Sequence, residues 1–375
     1  MSAVGVGIVG SGVISDTYLA NLGSFPDVEV KVVGDLNPER ARAQAEKHGV
    51  PRSGTAADVM ASDDVQVVVN LTIPAAHVEV STQAIEAGKH VWTEKPIGLE
   101  LDGVDELLAR AAERGLRIGS APDTVLGPGL QTAKRAIQSG RIGEPLFAQT
   151  TFQTQGPDVW HPGPQFLFSR GAGPLFDMGP YYFSALVSLL GPIARVGAAG
   201  MRARTEREIR TGPNAGSFFP VEVPTTLQAI TIFESGRQAQ STFSFDSALE
   251  RHGVIEVHGT EGSIIVPDPN RFSGRTAVVK PLLTFRDGEA FDQPWIEIPE
   301  EGVVVGRGLG LLEMVRAIAE ERPHLASGEL GRHVLETMIA ADESAQSGSF
   351  IDVESTVAPI PAVPVDFDPF ARTLP

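Results

Sequence analysis

The chain has 375 residues, 42% of them hydrophobic and 21% charged, with a formal net charge of −17. That length suits two domains, and the acidity argues against nucleic-acid or anionic-membrane partners. There is no cysteine, so disulfides and thiolate metal sites are excluded. No apolar run reaches the roughly 18–20 residues of a membrane span, and the opening residues lack a secretory signal. These features fit a cytoplasmic address.

Valine-rich runs at residues 4–9, 28–33, 65–71 and 90–93 suit parallel strands buried on both faces. Residues 14–21, 38–48 and 76–87 between them read as helices. Alternating strands and helices imply a doubly wound sheet. Leu101, Val104, Leu107, Leu108 and Ala111 mark one helical face, Gly115 stops that helix, and residues 117–120 return as a strand. Composition changes after Pro122. Residues 145–154, 226–234, 237–245 and 254–258 read as longer antiparallel strands, with turns at Ser235-Gly236 and at residues 259–262. Helices follow at about 309–321 and 329–345, and the proline-rich tail from about 352 reads as extended. A Gly- and Pro-rich loop at 153–175 is long enough to point to function. The expected division is residues 1–122, 123–350 and a tail, 351–375.

The stretch from Gly7 to Ser15 carries G-x-G-x-x-S between a strand and a helix. Gly10 permits the tight turn. Gly12, with Val13 and Ile14 opening the helix, lets a pyrophosphate approach the backbone. Ser15 replaces the third glycine and is small enough for close packing. Asp35 ends the second strand and suits the adenosine ribose hydroxyls; its charge repels a 2′-phosphate, which favours NAD over NADP. Lys95 follows the strand at 90–93. Proximity to an oxidised nicotinamide and partial burial favour its neutral form, able to take a proton from an alcohol. As Lys95 precedes Pro96, its peptide bond is a candidate for the cis form.

The Glu94-Lys95-Pro96 element, the turn at Gly10–Ser15 and the run Ala87-Gly88-Lys89-His90-Val91 resemble the glucose–fructose oxidoreductase/inositol dehydrogenase/MocA family. The resemblance is strong from Val4 through Ser120 and looser beyond. It implies an α/β chain: an N-terminal Rossmann domain plus an α+β domain with a large, mostly antiparallel open-faced sheet. Homodimers or homotetramers are implied through those sheets, together with a nicotinamide cofactor and a sugar or cyclitol substrate. Thr72, Pro74 and His77 match the family's fourth-strand loop beside the cofactor. Glu94 matches a residue near the nicotinamide ribose, and Lys95 the catalytic lysine. His77 also reads as a structural hydrogen-bonding residue at a helix start.

The stretch from Gly171 to Tyr182 resembles the family's second signature, an aspartate followed four residues later by a catalytic histidine. Asp177 is kept, but Tyr181 stands at the histidine position, and a phenol is a poorer base than imidazole at neutral pH. Tyr182 is the adjacent alternative. Pro180 can equally open a helix at its first position. In the long loop, Trp160 offers an indole face to a sugar ring, or else packs in a core or dimer contact, while His161 offers the missing imidazole. Asp123 and Thr124 sit past the sixth strand as polar substrate contacts or as loop caps, and Arg170 is a further candidate. The eight histidines form no His-Glu-x-x-His pattern, and no metal site is expected. The leading function is NAD-dependent dehydrogenation of a sugar, cyclitol or sugar-derivative hydroxyl carbon, with Lys95 as acid/base. The alternatives are a redox-neutral NAD-dependent glycoside hydrolase working by transient C3 oxidation and elimination, and a non-catalytic dinucleotide sensor.

Overall fold

The computed structural model describes residues 3–281 and 294–374. Contacts divide the chain into two compact units, one made of Met1–Gly127, Gly302–Leu335 and Val363–Pro375, the other of Pro128–Glu301 and Glu336–Ala362.

The first unit opens with β1 (Val4–Val9), α1 (Val13–Leu22), β2 (Val28–Gly34), α2 (Pro38–His48), β3 (Arg52–Gly54) and α3 (Ala56–Met60). It continues with β4 (Val67–Asn70), α4 (His77–Glu86), β5 (His90–Thr93), α5 (Leu101–Glu113) and β6 (Ile118–Ser120). The six strands run parallel in the order β3-β2-β1-β4-β5-β6, the doubly wound order of dinucleotide-binding sheets. Valine runs form these strands because helices cover both faces, and Val67, Val68 and Val69 have almost no exposed surface. The helix starts are written locally. Asn37 accepts bonds from the amides of Glu39 and Arg40, with Pro38 in the first turn, and Thr55 with Asp58 forms a capping box. Such caps contribute about 1 kcal/mol each.

The second unit contains α6 (Pro128–Gln138), β7 (Pro145–Gln153), α7 (Gly173–Leu190), β8 (Ile193–Met201), β9 (Glu206–Glu208) and β10 (Phe218–Pro220). Then come β11 (Thr226–Phe233), β12 (Gln238–Ser244), β13 (Arg251–Gly259), β14 (Gly262–Val266), β15 (Thr276–Val279) and β16 (Ile296–Ile298). Past α8 (Leu309–Ala319), which lies in the first unit, comes α9 (Gly328–Ser347), whose residues up to Leu335 belong to the first unit and the rest to the second, and then β17 (Ile351–Asp352). Nine strands form one sheet, β16-β15-β14-β13-β7-β12-β11-β8-β17. Among the described residues only the β7–β12 pair is parallel, so the expected mostly antiparallel sheet is present. Alternation along the strands gives it two faces. Ala229, Ser241 and Thr150 form a buried row, while Ile230, Gln240 and Gln149 form an exposed one. The buried face packs on α7, where Phe183 and Tyr182 each lie 5.6 Å from the Phe243 ring.

One local expectation fails. Pro180 does not open a helix; it lies inside α7, which begins seven residues earlier with Pro174 in its first turn. Pro174 already takes the position where a missing N–H costs nothing. The loop at 153–175 contains two short 3₁₀ turns, Pro157–Val159 and Pro164–Phe168.

Candidate active site

The strand ends of the first unit are level. Gly34 pairs with Val9, Val9 with Asn70, Asn70 with Thr93, and Thr93 with Ser120. The residues that follow each end therefore gather along one edge of the sheet, where doubly wound folds bind ligands. Asp35, the Gly10 turn, Thr72, Glu94-Lys95 and Asp123 all stem from that edge.

Gly10 has φ +105°, and a Cβ there would lie 2.6 Å from the Leu71 carbonyl oxygen, so only glycine fits. Gly12 caps α1 without a side-chain bond, and nothing lies within 4 Å of the place its Cβ would take. The space beside Gly12 at the start of α1 is therefore open, and a helix start of this kind can receive a phosphate, although the Ser15 amide already donates to the Gly12 carbonyl at 3.0 Å. Ser15 is buried, and its hydroxyl donates back to the Gly12 carbonyl at 2.6 Å. The Asp35 carboxylate accepts from the Ser11 amide and hydroxyl, both at 2.7 Å, and from the Asn37 amide at 2.7 Å. Burial pushes this carboxyl up, but the bonds from Asn37 and Ser11 outweigh it and hold it below the usual carboxylate range. Val13, Leu36 and Ile73 stand 93%, 102% and 70% exposed. Apolar groups left bare on three neighbouring connections suit the flat face of a base. The turn, the acid and these apolar groups together fit a dinucleotide.

The Lys95–Pro96 bond is cis. The Lys95 amide donates to Glu94 Oε2 at 3.1 Å, and the Tyr18 hydroxyl donates to Glu94 Oε1 at 2.8 Å. The Trp92 indole N–H in turn donates to the Tyr18 oxygen at 3.2 Å. Arg307 stands 3.9 Å from Glu94 Oε1. Thr72 donates its hydroxyl to Asn70 Oδ1 at 2.6 Å, and Asn70 Nδ2 donates to the His77 carbonyl at 2.9 Å. Sequence reasoning missed Ser11, Tyr18, Asn70 and Arg307. A tyrosine two turns into the helix after a glycine turn, and a polar residue ending a valine strand, were the available signals.

For His77 and Asp123 the hydrogen bonds follow the structural alternative, a bonding residue at a helix start and a cap. His77 is buried, with Nδ1 2.6 Å from the Pro96 carbonyl and Nε2 3.0 Å from the Thr72 carbonyl. Its ring ties the β4 connection to the Lys95 segment, and burial lowers its basicity. Asp123 is fully buried, and its Oδ2 accepts from the amides of Gly308 (2.8 Å) and Gly310 (3.1 Å) at the start of α8. Burial raises its carboxyl to about 6. The helix needs an acceptor for its first amides, and Asp123 supplies it. Thr124 is also buried.

In the second unit, Asp177 and Tyr181 lie one helical turn apart on α7, Asp177 half-buried and Tyr181 buried. Tyr182 faces the sheet instead. Its hydroxyl accepts from the Gly253 amide at 2.8 Å and donates to the Thr151 carbonyl at 3.3 Å, and burial pushes the phenol up. Its hydroxyl is thus spent on the core rather than offered to substrate. Trp160 is exposed, with its ring 5.5 Å from His161, which lies 5.4 Å from Phe166. The Gly163 amide donates to His161 Nδ1 at 3.0 Å, which places the proton of the neutral ring on Nε2. His161 then offers a donor to a ligand rather than a free lone pair. This loop is held by Arg207, which is buried, pairs with Asp158 at 2.9 Å and bonds the Gln155 and Phe245 carbonyls. Arg170 is exposed, and its amide donates to Glu222. Among the described residues, no group of three His, Cys, Asp or Glu is arranged to hold a metal ion.

The parallel sheet and its glycine turn are those of a nicotinamide-dependent oxidoreductase, and the family models agree. Residues 4–121 match the oxidoreductase family with an NAD-binding Rossmann fold, and residues 130–265 match the GFO/IDH/MocA C-terminal domain. The chain belongs to the Gfo/Idh/MocA oxidoreductase family. It is 30% identical over 275 residues to the oxidoreductase ORF334 of Rhizobium meliloti, covering 72% of this chain and 76% of that protein. It is 26% identical over 355 residues to the 1,5-anhydro-D-fructose reductase of Ensifer adhaerens, covering 93% and 98% respectively. Among solved structures, levoglucosan dehydrogenase in complex with NADH and L-sorbose superposes with a TM-score of 0.79 at 22% identity, covering 95% of this chain and 100% of that one; this likeness speaks to the fold.

Proposed function

We propose that the protein is an NAD-dependent dehydrogenase acting on a hydroxyl carbon of a sugar, cyclitol or sugar derivative, with Lys95 as the acid/base. The observation that carries this reading is the level sheet edge, from which both the dinucleotide turn and the Lys95 segment start. A bound NAD supplies the hydride acceptor. Gly10, Gly12 and the first amides of α1 hold its pyrophosphate, Asp35 its adenosine ribose, and Val13, Leu36 and Ile73 flank its base. Asp35 already presents a carboxylate fixed by three donors, which disfavours a 2′-phosphate and supports NAD over NADP. Lys95, as the neutral amine, accepts the hydroxyl proton while the carbinol carbon gives up hydride. On the family resemblance, Asp177 and Tyr181 orient the substrate and pass the proton. Trp160 supplies a face for the C–H side of a ring and His161 a hydrogen-bond donor.

Two coarser assignments accompany this reading. The exposed face of the nine-stranded sheet carries a shallow depression of about 400 Å³ lined by Leu146, Phe147, Ile230 and Gln240, and it suits pairing of two copies. A cytoplasmic address fits the absence of cysteine.

The test is a panel of levoglucosan, inositols and aryl glycosides, each with NAD and with NADP. Reduced nicotinamide and released aglycone are followed together, and light scattering gives the copy number of the same sample. Reduction of NAD is expected for at least one panel member, with Lys95→Ala lowering kcat at least ~1,000-fold and sparing NAD binding. Undiminished turnover in Lys95→Ala would sink the mechanism. Aglycone release without net NADH would replace it with the redox-neutral hydrolase.

A further inference from the structure

Tyr18 lies on the buried face of α1, the helix whose first amides open towards the dinucleotide, and it has no exposed surface. A phenylalanine would fill the same volume, so the hydroxyl needs a reason. A buried hydroxyl costs stability unless it is paired, and this one is paired twice. It accepts from Trp92 Nε1 at 3.2 Å and donates to Glu94 Oε1 at 2.8 Å. Burial, with Glu94 and then Asp123 close by, keeps the phenol protonated and therefore donating. The other oxygen of the same carboxylate accepts the Lys95 amide at 3.1 Å. One carboxylate is thus shared between a helix side chain and the backbone of the proposed acid/base.

We propose that Tyr18 is a positioning residue for the reaction: through Glu94 it fixes the backbone of Lys95 relative to the helix that receives the dinucleotide. The inference rests on the reading of Lys95 as acid/base. Tyr18 touches neither substrate nor cofactor in this scheme. It acts by leaving Glu94 one rotamer, in which both oxygens are occupied. Among the described residues, other charged or titratable groups near Glu94 are Lys95 on the same segment, Arg307 before α8 at 3.9 Å, Asp123 after β6 and His77 on α4. Arg307 opposes the negative charge without bonding geometry at that distance, so the directional restraint on Oε1 comes from Tyr18.

Tyr18→Phe in the full chain tests this. Without any cofactor, hydrogen exchange of the Lys95 amide is expected to quicken at least ~10-fold, since its acceptor is released. Calorimetric NAD affinity is expected to stay within ~3-fold. With the best panel substrate, kcat is expected to fall ~10–100-fold, the scale of a small misplacement of a reacting group. Should Tyr18→Phe not fold, Glu94→Gln gives the second route. The amide replaces one of the two acceptor oxygens by an NH2 donor, so Tyr18 and the Lys95 amide can no longer hold the side chain from both ends, and the same faster exchange and lower kcat are expected. Wild-type exchange and kcat in a folded variant would overturn the proposal. So would a loss of NAD affinity equal to the loss of kcat, which would mark a defect of α1 alone. Lys95→Ala separates the two levels. If that variant is active, the underlying reading fails. If it is inactive while Tyr18→Phe behaves as wild type, only the role of Tyr18 fails.

Discussion

The two units present their candidate residues in different ways. In the first, topology gathers them: five level strand ends deliver Asp35, the Gly10 turn, Thr72, Glu94-Lys95 and Asp123 to one edge. In the second, the candidates sit on one helix and one long loop, where neighbouring residues have opposite fates. Asp158 is buried against Arg207 while Trp160, two residues on, is exposed. Tyr182 bonds the sheet while Asp177 on the same helix is only half-buried. A parallel sheet thus makes functional position a property of chain order, whereas a loop makes it a property of what pins the loop down.

Gly10→Ala puts the first half of that comparison under the greatest strain. The added Cβ meets Leu71 O at 2.6 Å, and the residue is held at φ +105°. Strain of this kind costs about 1–3 kcal/mol, and moving the turn displaces the α1 amides. NAD affinity is expected to fall more than ~100-fold by calorimetry, a larger effect than any single substitution in the long loop of the second unit. Near-wild-type affinity would mean that the turn is not where the dinucleotide binds.

A second probe uses pH. Asp123 titrates at about 6 in the folded chain because burial outweighs its helix bonds, against an ordinary value near 3.8. An acid whose folded pKa is raised contributes stability that is complete below the unfolded pKa and is lost as pH rises through the folded one. The first unit is therefore expected to lose about 1–3 kcal/mol of stability from this group between pH 4 and pH 7. Asp123→Asn, which cannot ionise, should flatten that part of the profile in urea titrations. Parallel profiles for the two proteins would show that Asp123 does not carry the dependence.

Legibility followed the same divide. The strands at 4–9 and 90–93 and the helix at 38–48 coincide with the observed β1, β5 and α2, because valine runs, an Asn-Pro start and a glycine stop act locally. β8 went unread: Ile193–Met201 is rich in small residues, and its outward half is exposed, so it lacks the alternation of its neighbours. The place of α8 was also hidden. Its apolar spacing announces a helix, but nothing in it announces that Gly310 must be glycine because a Cβ would lie 2.1 Å from the Trp92 ring. Likewise the position of Asp123 allows a ligand contact or a cap, and the amides it caps belong to a segment 185 residues later, which no local pattern announces. Ser11 lies within the motif read for its glycines and Tyr18 three residues past it, but their partners, Asp35 and Glu94, follow other strands.

The finest comparison is between adjacent tyrosines. Tyr182 has both bonds of its hydroxyl spent within the second unit, on Gly253 and Thr151. Removing it leaves a half-buried amide without its acceptor, so Tyr182→Phe is expected to cost about 1–2 kcal/mol of stability and to leave kcat within ~2-fold. Tyr181, at the position where the family resemblance places a catalytic histidine, is expected to behave the other way, with kcat in Tyr181→Phe lowered about 10-fold or more. Chemical denaturation and steady-state rates on the two variants, side by side, decide the matter. Equal losses of rate would erase the distinction between the wall of the unit and its working face. A rate defect confined to Tyr182→Phe would shift the register of the second signature by one residue and make Tyr182 the proton-handling candidate despite its buried bonds.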